Sequence, residues 1–166
     1  RDCRVSQDRI VGEVNGGFVD ALKVLDGGRI SIAALSLGIT LGCLDNSRKY
    51  AKQRKAFGRH IAEYQAVHWM LVEMETRYEA SSVLIYRAAQ MKDAGKRVSR
   101  ESAMAKLYAS DSCVVAAERA AQLFGGYGYI KDYPVERFFR DCKLCTIGEG
   151  TSEVQRMVIA RQLLRA

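Results

Sequence analysis

One stretch of the chain decides its fold class: residues Ser99–Phe124, which read SRESAMAKLYASDSCVVAAERAAQLF. Apolar and small residues recur there in steps of four and three, the spacing of one face of an α-helix. Small residues at this spacing favour close packing against other helices at a shallow crossing angle. We therefore predict a long helix that packs closely against its neighbours. Its predicted core residues are Ala103, Leu107, Val114, Ala121 and Phe124.

The same periodicity extends to both sides of this stretch. It predicts helices over residues 18–55 and 62–94, then a short helix over 134–143 and a last helix over 151–164. The single proline, Pro134, falls in the first turn of a predicted helix, where proline is tolerated. Together these segments predict an all-α, up-down four-helix bundle over residues 18–166, preceded by an entry segment at residues 1–17.

Composition and charge argue against several classes of protein. The net charge is +7, but the basic residues are spread along the chain without a dense run, which argues against nucleic-acid binding. No apolar run reaches the roughly 18 residues of a membrane span. Five cysteines without a signal peptide favour reduced thiols inside a cell. Cys142 and Cys145 form a lone CxxC, which we interpret as small core side chains rather than a metal site.

Arg29 interrupts the apolar stripe of the first predicted helix, between Leu25 and Ile32. A buried guanidinium needs a partner, because an unpaired buried charge is costly. Two interpretations stay open. Arg29 forms an ion pair with Asp26, one helical turn earlier, or it contacts an anionic ligand.

Glu149 lies between Gly148 and Gly150, just before the last predicted helix. Glycine leaves room for another group to approach the backbone closely. A carboxylate that faces a cleft at such a place loses hydration, which suits a general base, although the helix N-terminus that follows favours the anion. The alternative is a solvent-exposed glutamate in a turn.

Five segments of the chain occur together in the order found in one protein family. They are Leu25–Ile30, Arg54–Gly58, Gln122–Gly126, Tyr133–Arg137 and Ile147–Thr151. In this order they resemble the acyl-CoA dehydrogenases, and the similarity covers essentially the whole chain. Members of that family have an N-terminal helical domain, a middle β domain and a C-terminal four-helix domain. The resemblance implies that this chain corresponds to the last of these, with residues 1–17 as the exit from a β domain.

The resemblance also implies a reaction, the α,β-dehydrogenation of an acyl-CoA thioester with FAD as cofactor. In the family a glutamate takes the α-proton while the β-hydrogen leaves as a hydride, and that glutamate falls on Glu149. Some members carry the base instead at the position of Gly28, where glycine removes the option. Asp26, Arg29 and Gly150 fall on the acyl-CoA side. The residues at FAD-contacting positions are Arg54, Phe57, Gln65, Gln122, Gly125, Gly126, Thr151 and Glu153.

Further expectations follow from the same resemblance. Some FAD positions reach the flavin of a neighbouring subunit, which implies a homo-oligomer, either a dimer or a tetramer. An electron-transfer flavoprotein is implied as the electron acceptor, and the bacterial cytoplasm or the mitochondrial matrix as the location. Ala56 and Gly148 depart from the common hydroxyl and aromatic residues of the family, and Gly148 would widen the acyl pocket. An acyl-CoA oxidase or flavin monooxygenase on the same fold, and a non-enzymatic helical binding module, remain as alternatives.

Overall fold

The structure is a computed structural model that describes residues 2–164 and is built mainly from helices. Three long helices pack against one another: α1 (Gly17–Gln53), α2 (Gln65–Asp93) and α3 (Ser99–Phe124). Consecutive helices are antiparallel because their connections are short, whereas α1 and α3 run in the same direction, with Asp26 beside Ser99 at one end and Tyr50 stacked on Phe124 at the other. Two shorter helices, α4 (Val135–Ile147) and α5 (Ser152–Leu163), complete the fourth side of the bundle against α3. The predicted all-α, up-down four-helix bundle is confirmed.

The central position belongs to α3, which contacts each of the other four α-helices. Its buried face is made largely of alanine, so that the neighbouring helices approach closely. Of the predicted core residues, Ala103 and Phe124 are buried and Val114 packs against the core. Leu107 and Ala121 are only half-buried, because α3 has helices on several sides and its buried face is broader than one stripe.

The first helix buries a face of small residues, whereas bulky residues at its start stay exposed. Ser36 and Thr40 are fully buried, whereas Phe18 and Leu22 at its start are exposed. The two buried hydroxyls donate to the carbonyl groups of Ile32 and Ser36 at 2.8 and 2.9 Å, so their burial leaves no unpaired donor. Small residues on this face bring α1 close to α3.

One helix in the described range, α1, is long and apolar enough to cross a membrane by length and composition, with a mean hydropathy of 1.5 over its most apolar 18 residues. We expected no apolar run of that length; polar residues occur inside this window, but its mean hydropathy is nevertheless high enough. In the structure α1 packs against α2, α3 and α4. Its hydropathy is therefore also that expected of a helix with one face covered by protein.

The first predicted helix boundary was wrong. The helix ends at Gln53, and the next residues form a small antiparallel hairpin, β1 (Lys55–Ala56) and β2 (Arg59–His60). Phe57 and Gly58 at its tip have φ values of +51° and +84°. Positive φ at both central residues is the pattern of a tight hairpin turn, and it cannot continue a right-handed helix. A single 3-10 turn then leads into α2, which begins at Gln65 rather than at residue 62.

The fourth helix is longer than predicted, because it continues to Ile147 instead of ending at residue 143. Cys145, on this extra length, and Cys142, just before it, are buried in the core with Cys43 and Cys113. All four are free thiols, and burial raises the pKa of the Cys43 thiol to about 12. The interpretation of the CxxC as small core side chains agrees with this packing.

Candidate functional site

A tight turn at residues 148–151 connects α4 to α5. Glu149 and Gly150 both lie in the left-handed region, with φ values of +56° and +90°, which is uncommon for a residue other than glycine. Thr151 then caps α5, because its hydroxyl oxygen accepts a hydrogen bond from the backbone N–H of Val154 at 3.4 Å. The turn directs the Glu149 side chain back toward α1.

The Glu149 carboxylate packs directly against Gly28 of α1. A Cβ atom placed on Gly28 would lie 2.5 Å from Glu149 Oε2 and 2.7 Å from its Cδ, so only glycine leaves space for the carboxylate. Within residues 2–164, Oε2 is buried and has no hydrogen-bond partner. An unpaired buried oxygen is costly, so the placement of this carboxylate calls for an explanation beyond the stability of the fold.

Arg29 and Asp26 form the ion pair that was one of the two interpretations. Arg29 Nη1 lies 2.6 Å from Asp26 Oδ1, and the other carboxylate oxygen accepts a hydrogen bond from the Ser99 hydroxyl at 2.7 Å. The pair also lines a cleft of about 470 Å³ between α1, α5 and the start of α3. Because Arg97 and Arg161 line the same cleft, it favours anions. The ion pair and a ligand contact are thus compatible.

Two buried side chains that the sequence analysis missed hold the 148–151 turn. Lys106 of α3 is 0% exposed and donates from Nζ to the carbonyl of Gly150 at 2.8 Å. Gln155 of α5 is also 0% exposed and donates from Nε2 to the carbonyls of Glu149 and Gly150 at 3.0 and 2.8 Å. Burial lowers the pKa of Lys106 below its ordinary value. Its place on the buried face of α3, three residues after Ala103, was the signal in the sequence.

A second cleft lies at the other end of α1. Arg54, Gly125 and Gly126 line this cleft of about 520 Å³, between the hairpin and the turn that follows α3. The Arg54 guanidinium lies 5.4 Å from the centre of the Tyr127 ring and forms no ion pair within the described range. A Cβ on either glycine would meet nothing within 4 Å. An unpaired guanidinium beside open backbone fits a phosphate-bearing or flat aromatic group.

The structure separates the FAD positions implied by the resemblance into two groups. Phe57, which is 97% exposed, and the exposed Gln65 and Gln122 lie with Arg54 at the hairpin end. Thr151 and Glu153 lie at the other end, beside Glu149. Hydrogen bonds from the Glu153 backbone N–H and from the Thr151 side chain hold the pKa of the Glu153 carboxyl below its usual range. The eight positions therefore do not form one continuous site in this chain.

Known proteins are similar to this sequence over nearly its whole length. Residues 15–164 match the family model described as the C-terminal domain of acyl-CoA dehydrogenase. The CarC subunit of the caffeyl-CoA reductase–Etf complex of Acetobacterium woodii is 49% identical over 164 residues, which cover 99% of this chain and 43% of CarC. The mitochondrial short-chain specific acyl-CoA dehydrogenase of Mus musculus is 44% identical over 165 residues, which cover 99% of this chain and 40% of the mouse protein.

The fold is shared as well. The three-dimensional structure of butyryl-CoA dehydrogenase from Megasphaera elsdenii superposes with a TM-score of 0.97 and 42% identity, covering 99% of this chain and 43% of that one. The chain thus spans less than half the length of these relatives. The helical bundle, the order of its motifs and these similarities agree, and the chain belongs to the acyl-CoA dehydrogenase family as its C-terminal helical domain.

Proposed function

We propose that this domain works in an FAD-dependent acyl-CoA dehydrogenase, with Glu149 as the base that takes the α-proton of an acyl-CoA thioester. The observation that carries the proposal is Glu149 Oε2, which is buried against Gly28 without a partner in the described part of the chain. A carboxylate held in this way suits general-base chemistry. Relatives named acyl-CoA dehydrogenases support the reaction class. In this proposal residues 1–17 lead out of a β domain.

The residues of this chain would act at the α-carbon of the thioester. When bound, FAD supplies the acceptor for the β-hydrogen as a hydride. Glu149 accepts the α-proton in the space left by Gly28, while Asp26 and Arg29 contact the acyl-CoA from the adjoining cleft. The same glutamate returns the proton when the reaction runs in the direction of reduction. CarC is named as part of a reductase complex with an Etf, which supports an electron-transfer flavoprotein as the partner that sets the direction.

The two groups of FAD positions support the cofactor assignment. Arg54 would hold a phosphate of FAD beside Gly125 and Gly126, and Thr151 and Glu153 would contact the flavin near Glu149. Each group forms only part of a site, so we expect the 166-residue chain alone to hold FAD weakly. A homo-oligomer would let one copy complete the site of another. Relatives from bacteria and from mitochondria support an intracellular location.

The test is Glu149→Gln in the full-length flavoprotein, because glutamine keeps the shape of the side chain but cannot take the proton. We expect flavin reduction by saturating acyl-CoA to slow by about 10²–10⁴-fold, the usual cost of losing a positioned base. Anaerobic stopped-flow absorbance measures the rate, and a binding titration should give an almost unchanged Kd for the thioester. Glu118→Gln, an exposed carboxylate on α3, is the matched control. A Glu149→Gln rate within a few-fold of the parent would show that Glu149 is not the base.

A further inference from the structure

We infer that Lys106 and Gln155 are positioning residues for Glu149: they hold the carbonyl groups of the 148–151 turn and so aim the catalytic carboxylate at the substrate. Lys106 reaches the turn from α3 and Gln155 from α5. The inference rests on the proposed role of Glu149 as the base. It adds two residues whose hydrogen bonds go to the backbone of the turn and not to the Glu149 side chain.

The turn needs to be held because of its backbone conformation. A non-glycine residue in the left-handed region, such as Glu149, persists only where the surrounding structure imposes that conformation. Here the surrounding structure consists of three hydrogen bonds, one to the carbonyl of Glu149 and two to the carbonyl of Gly150. A Cβ on Gly150 would lie 2.8 Å from Gln155 Nε2, so the turn and its support fit closely.

The identity of residue 106 also points to this role. A fully buried lysine is rare unless its amine is paired, and the flanking buried positions of α3, Ala105 and Ala109, show that packing there needs only small side chains. In the part of the chain that the structure describes, Lys106 Nζ makes one hydrogen bond, to the carbonyl of Gly150. A hydrogen bond from a charged amine is roughly twice as strong as a neutral one. The burial of Lys106 is therefore explained by the turn.

The consequence for the reaction is geometric. Without these donors two carbonyl groups of an enclosed turn lose their partners, and the turn relaxes toward an unstrained conformation. Glu149 would then leave its place over Gly28. Proton abstraction depends steeply on position, and a displacement of about 1 Å can cost about 10²-fold in rate. Thioester binding in the cleft at Asp26 and Arg29 should change little.

The main experiment is Lys106→Met in the full-length flavoprotein, because methionine has a similar length and no donor. We expect the rate constant of flavin reduction at saturating acyl-CoA to fall between about tenfold and 10²-fold. The thioester Kd and the flavin content should stay within about twofold of the parent. Ser112→Ala is the matched control, since Ser112 is on the same helix, is fully buried and has no hydrogen-bond partner among residues 2–164. Its rate should equal that of the parent.

Amide hydrogen exchange separates positioning from a general loss of structure. In Lys106→Met, exchange should accelerate at residues 148–152 and stay unchanged in α1 and α2. Gln155→Leu removes the other donor and should produce the same pattern, and it carries the test if Lys106→Met does not fold. Faster exchange throughout the bundle, or a parent-like rate in both variants, would overturn the inference. Such a parent-like rate beside an inactive Glu149→Gln would leave the proposed function standing, whereas an active Glu149→Gln would refute that function itself.

Discussion

The two ends of the bundle differ in how complete they are. At the enclosed end, defined here as the 148–151 turn and its neighbours on α1, α3 and α5, contacts within the chain position the Glu149 carboxylate. At the open end, defined as the hairpin and the turn after α3, Arg54 and Phe57 are exposed and the adjoining glycines face empty space. The contrast teaches that contacts within this domain fix the position of the Glu149 carboxylate, whereas the described part of the chain forms no ion pair with Arg54 at the open end.

The largest effect that would sharpen this comparison is expected for Gly28→Ala. Its Cβ would lie 2.5 Å from Glu149 Oε2, so the carboxylate has to move. We expect flavin reduction by acyl-CoA in the full-length protein to slow by about 10²-fold, the scale for a misplaced reacting group. Gly38→Ala on the same helix is the control, because a Cβ there meets nothing within 4 Å. Similar rates for the two variants would mean that the enclosed end is less tightly built than described.

A second test compares the stability of the two ends through glycine substitutions. Gly150→Ala places a Cβ in a residue with φ of +90° and 2.8 Å from Gln155 Nε2. We expect it to lower the free energy of unfolding by about 1–3 kcal/mol. Gly126→Ala at the open end should be neutral or stabilising by less than about 1 kcal/mol, because it has open space and no positive φ. Urea unfolding of the 166-residue chain, followed by circular dichroism, measures both. Equal losses would contradict the comparison.

At the open end Arg54→Ala should affect the cofactor and leave the fold intact. The side chain is exposed and stacks only near Tyr127, so its loss should leave the free energy of unfolding unchanged. Loss of one charge-assisted hydrogen bond to a phosphate should weaken FAD binding about tenfold. A flavin titration of the stripped full-length protein gives the Kd, with Lys52→Ala, an exposed cation in the last turn of α1, as control. An unchanged Kd would remove Arg54 from the proposed FAD site.

The smallest effect concerns Glu73 of α2, toward the open end, which pairs with Arg119 of α3 and with Arg77 of its own helix. Glu73 Oε2 lies 2.9 Å from Arg119, and its other oxygen lies 3.3 Å from Arg77. The hydrogen bond from Arg119 lowers the pKa of the Glu73 carboxyl. The contribution of ionised Glu73 to the free energy of unfolding is therefore complete above the unfolded-state pKa, near 4.3. It disappears as the pH falls through the lower folded-state pKa.

Because Glu73 is partly exposed, Glu73→Gln should cost less than about 1 kcal/mol at pH 7. Urea unfolding at a series of pH values should show that the difference in the free energy of unfolding between the parent and Glu73→Gln becomes smaller below about pH 4.3. Thr76→Ala, one turn away on the exposed surface of α2, serves as the control. A difference that grows toward acid pH would contradict the assigned pKa direction.

Local spacing predicted the parts of the molecule that local interactions determine. The steps of four and three on α3 predicted a closely packed helix, and the ion pair of Asp26 with Arg29 was one of two interpretations because its partners lie three residues apart. The hairpin was missed, since Phe57 takes a left-handed conformation that a bulky side chain rarely adopts. The contact of Lys106 with the turn was missed because its partner, Gly150, lies 44 residues away in the sequence. No periodicity reports such a contact.

Because α1 is unbroken, it fixes the distance between the two ends of the bundle. Gly28, under the Glu149 carboxylate, and Arg54, just after the last turn, are 26 positions apart, or about 39 Å at 1.5 Å per residue. A compact molecule bound beside Gly28 therefore cannot also contact Arg54 of the same copy of the chain. One residue added in the middle of the helix would also rotate Arg54 relative to Gly28 by about 100° around the helix axis. The helix therefore fixes both the distance between Gly28 and Arg54 and their relative rotation about the helix axis. A short flexible loop could fix neither.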